Sequence, residues 1–311
     1  MWSDHAVTHD IIPGLVAPLP RPPDGWFDYG YAVLSNGELA LLRTDEGIIG
    51  QRPGPAKTRL RLSTFDGAKE SAPIEVPAGR WPRVDRLPDG RWLMVSPPIE
   101  PPHDLDARFY ALDRAPSGAF AMGGYLTHVQ CATDGTIWAG YFDEGVFGGS
   151  DIAEAGIAQF DGEGQVIWRF NDQAGGDFSI DDCYALALDG ATLWSCFYSN
   201  FPIVRVAQGR VTHWRNEIAG AKTLAVDGDH VLLAGGYKEE SSRLALLHLA
   251  DGEARLKGQW RFAPPALDRT RLVQGRGGIL HVVGSGVWRR IAVATLRARR
   301  RDDGYRPDEP V

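Results

Sequence analysis

The sequence predicts an all-β chain folded as a six-bladed β-propeller, and three observations carry that expectation. Six segments share one grammar: an apolar strand, a tight turn of the Asn-Gly or Asp-Gly kind, and a second apolar strand. Glycine (37), proline (21) and tryptophan (10) are plentiful, as suits many short strands with half-buried aromatic faces. Long amphipathic helical stretches are missing; Val293 to Arg301 reads as a short helix, or as a final strand with a basic tail.

In chain order the repeats are YAVLSNGELALL from Tyr31, VDRLPDGRWLMV from Val84, VQCATDGTIWAG from Val129, YALALDGATLWSCF from Tyr184, KTLAVDGDHVLLAG from Lys222 and RLVQGRGGILHVV from Arg271. Asn-Gly and Asp-Gly reach positive φ cheaply, so they close hairpins whose twist matches the flanking strands. The turn glycines Gly37, Gly90, Gly135, Gly190, Gly228 and Gly277 lie 53, 45, 55, 38 and 49 residues apart, a spacing that fits four-stranded blades with loops of varied length. Outer strands are expected at Arg59 to Phe65, Arg108 to Asp113, Gly156 to Phe160 with Gln165 to Phe170, Ile203 to Val206 with Arg210 to Trp214, and Leu244 to Leu249 with Gly258 to Phe262. The sixth unit offers only Val287 to Ala292, so an N-terminal strand, His5 to Ile12, is expected to close the ring and remove two open edges. Residues 1–296 then form one domain, and 297–311 a polar tail whose basic run, Arg297 to Arg301, is nearly neutralised by nearby acids. A β-sandwich is the rival, but six similar hairpins at such spacing disfavour it.

A net charge of -7 argues against general nucleic-acid binding. The first residues show no secretory signal, and no apolar run approaches the ~20 residues that span a bilayer. Cys131, Cys183 and Cys196 match neither a disulfide framework nor a zinc pattern, so they read as reduced core fillers in a cytoplasmic protein. The sequence contains no HExxH, no nucleophile elbow, no P-loop and no dinucleotide fingerprint. The histidines look scattered, each more naturally a hydrogen-bonded strand residue than a ligand.

Propeller geometry turns the repeats into a location. The short Asx-Gly turns gather on one face, and the second-to-third-strand loops on the other. Four of those loops are long: Thr44 to Thr58, Pro97 to Ala107, Tyr141 to Gly156 and Tyr237 to Arg243. Length of that kind in a compact fold points to function. Where the first strands enter the channel, the alignment places Tyr29 and Tyr31, Arg83, Thr127 and His128, Asp182 and Tyr184, Lys222, and Arg269 and Arg271. The candidate ligand-binding set is Tyr31, Arg83, His128, Tyr141, Asp143, Glu144, Asp182, Tyr184, Lys222 and Arg271. Two acidic pairs, Asp143-Glu144 and Asp181-Asp182, are candidate ligands for a divalent cation such as Ca²⁺. They read equally as loop caps or as partners of Arg83, Lys222 or Arg271. Tyr141, Phe142, Phe147, Tyr198, Phe201 and Tyr237 repeat near the same face and suit a ring-bearing ligand or a protein partner, unless they are buried.

The stretches Trp138 to Gly148 (WAGYFDEGVFG), Gly156 to Asp161, Ile167 to Phe170, Ile180 to Leu186 (IDDCYAL) and Tyr198 to Arg205 resemble a family of uncharacterised bacterial propeller-like proteins. The resemblance covers roughly residues 128–215 and implies a propeller, with no activity attached. Two functions are therefore expected as alternatives. One is a non-catalytic binding module, recognising a small ligand or a protein through the long-loop face. The other is a metal-dependent hydrolase or lactonase with acidic ligands at the channel mouth. Lactonase-type propellers use Glu, Asn and Asp there, and this chain offers no Asn in its aligned first strands.

Overall fold

A computed structural model describes residues 9–45, 59–77, 81–96, 105–111, 116–173, 178–263 and 270–298. They form six antiparallel blades arranged as a ring. Blade one is Phe27–Val33, Leu39–Thr44, Arg59–Phe65 and Ile74–Pro77. Blade two is Arg83–Arg86, Trp92–Val95, Ala107–Tyr110 and Pro116–Phe120. Blade three is Leu126–Cys131, Ile137–Tyr141, Ile157–Phe160 and Val166–Arg169. Blade four is Asp182–Asp189, Thr192–Tyr198, Ile203–Ala207 and Arg210–Trp214. Blade five is Thr223–Asp227, His230–Ala234, Arg243–Ala250 and Glu253–Phe262. Blade six is Thr270–Arg276, Ile279–Gly284 and Val287–Ala292. All six turn glycines sit at positive φ, between 53° and 93°, the conformation that selects glycine; five follow Asn or Asp, and Gly277 follows Arg276.

Ring closure differs from the sequence expectation. The strand that completes blade six is Gly14–Pro18, antiparallel to Val287–Ala292. His9–Ile11 instead runs parallel to Glu253–Phe262 as a fifth strand on blade five. The remainder of the expected donor, residues 5–8, lies outside the described residues. Pro13 separates the two short strands because it has no N–H to continue a ladder. Each strand buries one apolar side chain, Ile11 or Ala17, against a different blade. Val293–Ala298 is a helix that docks Val293 and Leu296 into the wedge between blades five and six. Among the described residues no helix is long and apolar enough to cross a membrane.

Each pair of neighbouring blades buries its own apolar cluster. Examples are Phe109, Phe120 and Phe160 between blades two and three, and Phe170, Cys183 and Phe197 between three and four. Sheets packed face to face in this way keep an apolar side on both faces of every blade, which is why the inner strands read as near-continuous hydrophobic runs. All three cysteines are buried and free within these wedges.

The ring is pinned at the turn end of the first strands. Arg276 of blade six donates to Asp85 of blade two at 2.8 Å, and to Gln130 Oε1 and the Cys131 carbonyl of blade three at 3.1 and 2.9 Å. The second Oδ2 contact of Asp85 is the Cys131 N–H at 2.8 Å. Gln130 Oε1 also accepts from Leu188 N–H of blade four, and Gln274 of blade six exchanges two hydrogen bonds with the Val33 backbone of blade one. Gly275 lies so close to the Leu224 carbonyl of blade five that a Cβ there would stand 1.6 Å from its oxygen. Together these contacts tie the first strands of the six blades to one another at the turn end. Removing one partner of a buried ion pair leaves the other uncompensated, so Arg276→Met should cost about 3–5 kcal/mol, read from urea unfolding midpoints. A loss below about 1 kcal/mol would mean that the pair does not secure the ring.

Candidate functional site

The open end of the channel lies on the long-loop face. Its cavity, about 500 Å³, is lined from blade one by Tyr29 and Tyr31, from blade two by Arg83, from blade three by Thr127 and His128, from blade five by Lys222 and from blade six by Arg271. Trp81, in the connection between blades one and two, closes one side of the rim. These positions share a level because each sits near the start of a first strand, several residues before its turn.

Electrostatics at this mouth are dominated by cations. Arg83 stands exposed at the cavity wall, and the desolvation it meets there lowers its guanidinium pKa below the ordinary value. Its Nε donates to the Leu126 carbonyl at 3.2 Å. Among the described residues, neither Arg83 nor Arg271 joins an ion pair. The Lys222 ammonium lies 3.6 Å from the Tyr184 ring centroid, a cation–π contact; burial lowers its pKa and Asp182 opposes that shift. Burial and then repulsion from Asp143 raise the Asp182 carboxyl, with Lys222 pulling the other way. Burial, with Asp28 second, raises the Tyr31 phenol well above its usual range.

His128 faces the channel and is half-buried between blades three and four. Burial, then the neighbouring Arg83 charge, push it down to about 4. Its Nε2 lies 3.1 Å from the Tyr184 carbonyl, which can only accept, so the ring's proton is on Nε2. It is a neutral donor that ties blade three to blade four. Because the folded pKa is depressed, the unfolded chain takes up this proton first as pH falls.

An aromatic nest stands beside Lys222. Tyr184, Tyr198, Phe201 and Tyr237 pack with centroids 5.4–6.3 Å apart, and the Tyr237 hydroxyl donates to the Tyr184 hydroxyl at 3.0 Å. Around the mouth, bulky residues hold the left-handed backbone region: Trp81 at φ 47°, Tyr125 at 53° and Phe201 at 49°. Such residues cost of order 1–3 kcal/mol each and persist where the surroundings enforce them, often at ligand sites. Trp81 is 66% and Phe147 72% exposed.

The remaining expected site residues are placed differently. Tyr141 points away from the channel, fully buried, its hydroxyl donating to the Met122 carbonyl at 2.6 Å, so it belongs to the wedge between blades two and three. Asp143 and Glu144 open the exposed helix Asp143–Gly148, with Asp143 accepting from the Glu144 N–H. Asp181 pairs its backbone N–H with the Tyr198 carbonyl. Asp143 and Asp182 feel one another, but the four acids do not gather: among the described residues, three ligating groups converge only at Asp229, His230 and His248. Arg269 and much of the loops at 44–58 and 97–107 lie outside the described residues. Sequence alignment missed Trp81, whose signal was a tryptophan placed just before Pro82 and the first strand of blade two.

Two outcomes follow from this geometry. His128→Gln keeps a neutral donor, so it should recover about 1–2 kcal/mol of the stability that the wild type loses between about pH 7 and pH 5, measured by urea unfolding at both values. Phe147→Ser should leave the unfolding midpoint within about 0.5 kcal/mol of wild type, as for other exposed surface changes.

Comparison with known proteins places this geometry among propellers. Residues 157–251, from the third strand of blade three to the end of the third strand of blade five, match the model of the YxzG family. No curated protein matches the sequence. The Cps50 (Swd1) β-propeller domain of Myceliophteria thermophila is similar in structure, with TM-score 0.51 at 7% identity over 90% of this chain and 99% of that one. A functionally unknown protein of Desulfotomaculum acetoxidans gives TM-score 0.50 at 10% identity, covering 83% of this chain and 79% of its own. A gluconolactonase of Xanthomonas campestris gives 0.46 at 12% identity over 94% and 98% of the two chains. Likeness at such identity establishes the fold alone: the chain is a six-bladed β-propeller, and part of it matches the YxzG family.

Proposed function

We propose that the protein is a non-catalytic binding propeller that takes a small anionic ligand in the channel mouth on its long-loop face. One observation carries this reading: Arg83 and Arg271 line the same cavity, and neither joins an ion pair among the described residues. Two exposed guanidinium groups on one cavity wall, without acids paired to them, leave their donors turned to whatever enters the mouth. A carboxylate or phosphate supplies a counter-ion through charge-assisted, often bidentate, hydrogen bonds. Lys222 adds a third cation, and Tyr29, Tyr31 and Trp81 offer apolar faces for the rest of the ligand. A volume of about 500 Å³ suits a small molecule better than a protein segment.

The metal-dependent hydrolase reading finds less support. Its strongest remaining pair, Asp143 and Asp182, has the Lys222 ammonium beside it, and that charge competes with any divalent cation. No observation favours Ca²⁺ over the ammonium already there.

The test is a thermal-shift and calorimetric screen of phosphate, citrate, sugar phosphates and aromatic carboxylates against the full chain. At least one anion should stabilise the wild type. Arg83→Met and Arg271→Met should each weaken it roughly 10–100-fold, the loss of one charge-assisted contact. Binding that survives both changes undiminished would remove the channel from consideration. Stabilisation by Ca²⁺ that Asp182→Ala abolishes would favour the hydrolase instead.

A further inference from the structure

On the opposite face, blade five brings together three side chains that the channel does not use. His230 opens the second strand and His248 lies near the end of the third, and the hairpin register sets them directly opposite. Directly opposed side chains share a face with Cβ atoms about 4.5–5.5 Å apart. Their rings stand 4.9 Å apart between centroids. Asp229, in the preceding Asp-Gly turn, meets both: one carboxylate oxygen is 2.6 Å from His230 Nδ1 and the other 3.1 Å from His248 Nε2. Ligand atoms from all three lie within 4.8 Å of one another.

We propose that Asp229, His230 and His248 form a binding site for a divalent transition metal of the zinc type on the turn face of blade five. The donor set selects the class of ion. Two imidazole nitrogens and one carboxylate suit Zn²⁺ and its neighbours, whereas Ca²⁺ takes six or more oxygens. Zinc with ligands about 2.0–2.1 Å away in a tetrahedron needs ligand atoms about 3.3 Å apart, a spacing these side chains reach by small rotations. Both rings are sheltered, at 15% and 28% exposure, while Asp229 at 58% leaves a path from solvent. Three protein ligands leave one position open, the pattern of a site that also holds water or a ligand. Asp229 also lines a cavity of about 400 Å³ between blades four and five, walled by Trp194, Trp214 and Arg205. A group entering from that cavity is the natural fourth ligand.

The test uses the full chain and the metal alone. Calorimetric titration with Zn²⁺ in a weakly coordinating buffer should show one site, and Ca²⁺ should show none. His248→Ala and, as a milder variant, His248→Gln should weaken Zn²⁺ roughly tenfold or more, with unfolding in EDTA confirming that the fold is intact. Co²⁺ should give a visible spectrum without a thiolate charge-transfer band. A wild type that binds no Zn²⁺, affinity unchanged in both His248 variants, or a thiolate band pointing to the cysteines would each overturn the proposal.

Discussion

Asp85 and Arg276 stand 191 positions apart, in blades that do not adjoin, yet meet at 2.8 Å. Both are almost fully buried. Two charges taken from water so completely are tolerated because each has several partners: Asp85 also accepts the Arg86 and Cys131 N–H groups, and the two terminal nitrogens of Arg276 reach Asp85, Gln130 and the Cys131 carbonyl, while its buried Nε stays unpaired. The remainder of the architecture depends on this belt. It draws blades two, three, four and six to one point, and Gly275 lets blade five approach as closely. The cavity lies at the other end of the first strands, toward the long loops.

The two ends of the first strands differ in how their arginines are paired. At the turn end, Arg276 is matched by a carboxylate and contributes to rigidity. At the long-loop end, Arg83 and Arg271 line the cavity with no acid paired with them among the described residues. The same residue type is structural in one place and available in the other, and the difference is whether a carboxylate lies within reach. His128 shows the reverse case, a polar group half-buried at the mouth but held neutral by burial and by the Arg83 charge, where it braces blades three and four.

The aromatic residues divide along the same boundary. Tyr141 spends its hydroxyl on the Met122 carbonyl within a wedge, whereas Tyr184, Tyr198, Phe201 and Tyr237 cluster at the surface around Lys222. Trp81 and Tyr125 are held in left-handed backbone geometry at the ends of inter-blade connections.

Local sequence determined a large part of this. Asn-Gly and Asp-Gly carry their turn type in two residues, so the six hairpins, their order and the position of both faces were legible without any long-range information. First-strand residues such as Tyr31, Arg83, Lys222 and Arg271 could be placed at the mouth by counting back from those turns. What the tertiary structure alone decided depends on contacts between distant segments. Gly14–Pro18 rather than His5 to Ile12 closes blade six, because the choice rests on which edge each short strand meets after Pro13. Tyr141 and Tyr184 look alike in sequence, yet one is core and the other lies beside the mouth, since strand alternation fixes a side chain's face and the neighbouring blade fixes whether that face is covered. Asp229, His230 and His248 seemed unrelated until the register of one hairpin set the two histidines opposite each other. Pairing register is a property of two strands together, and neither strand's composition specifies it alone.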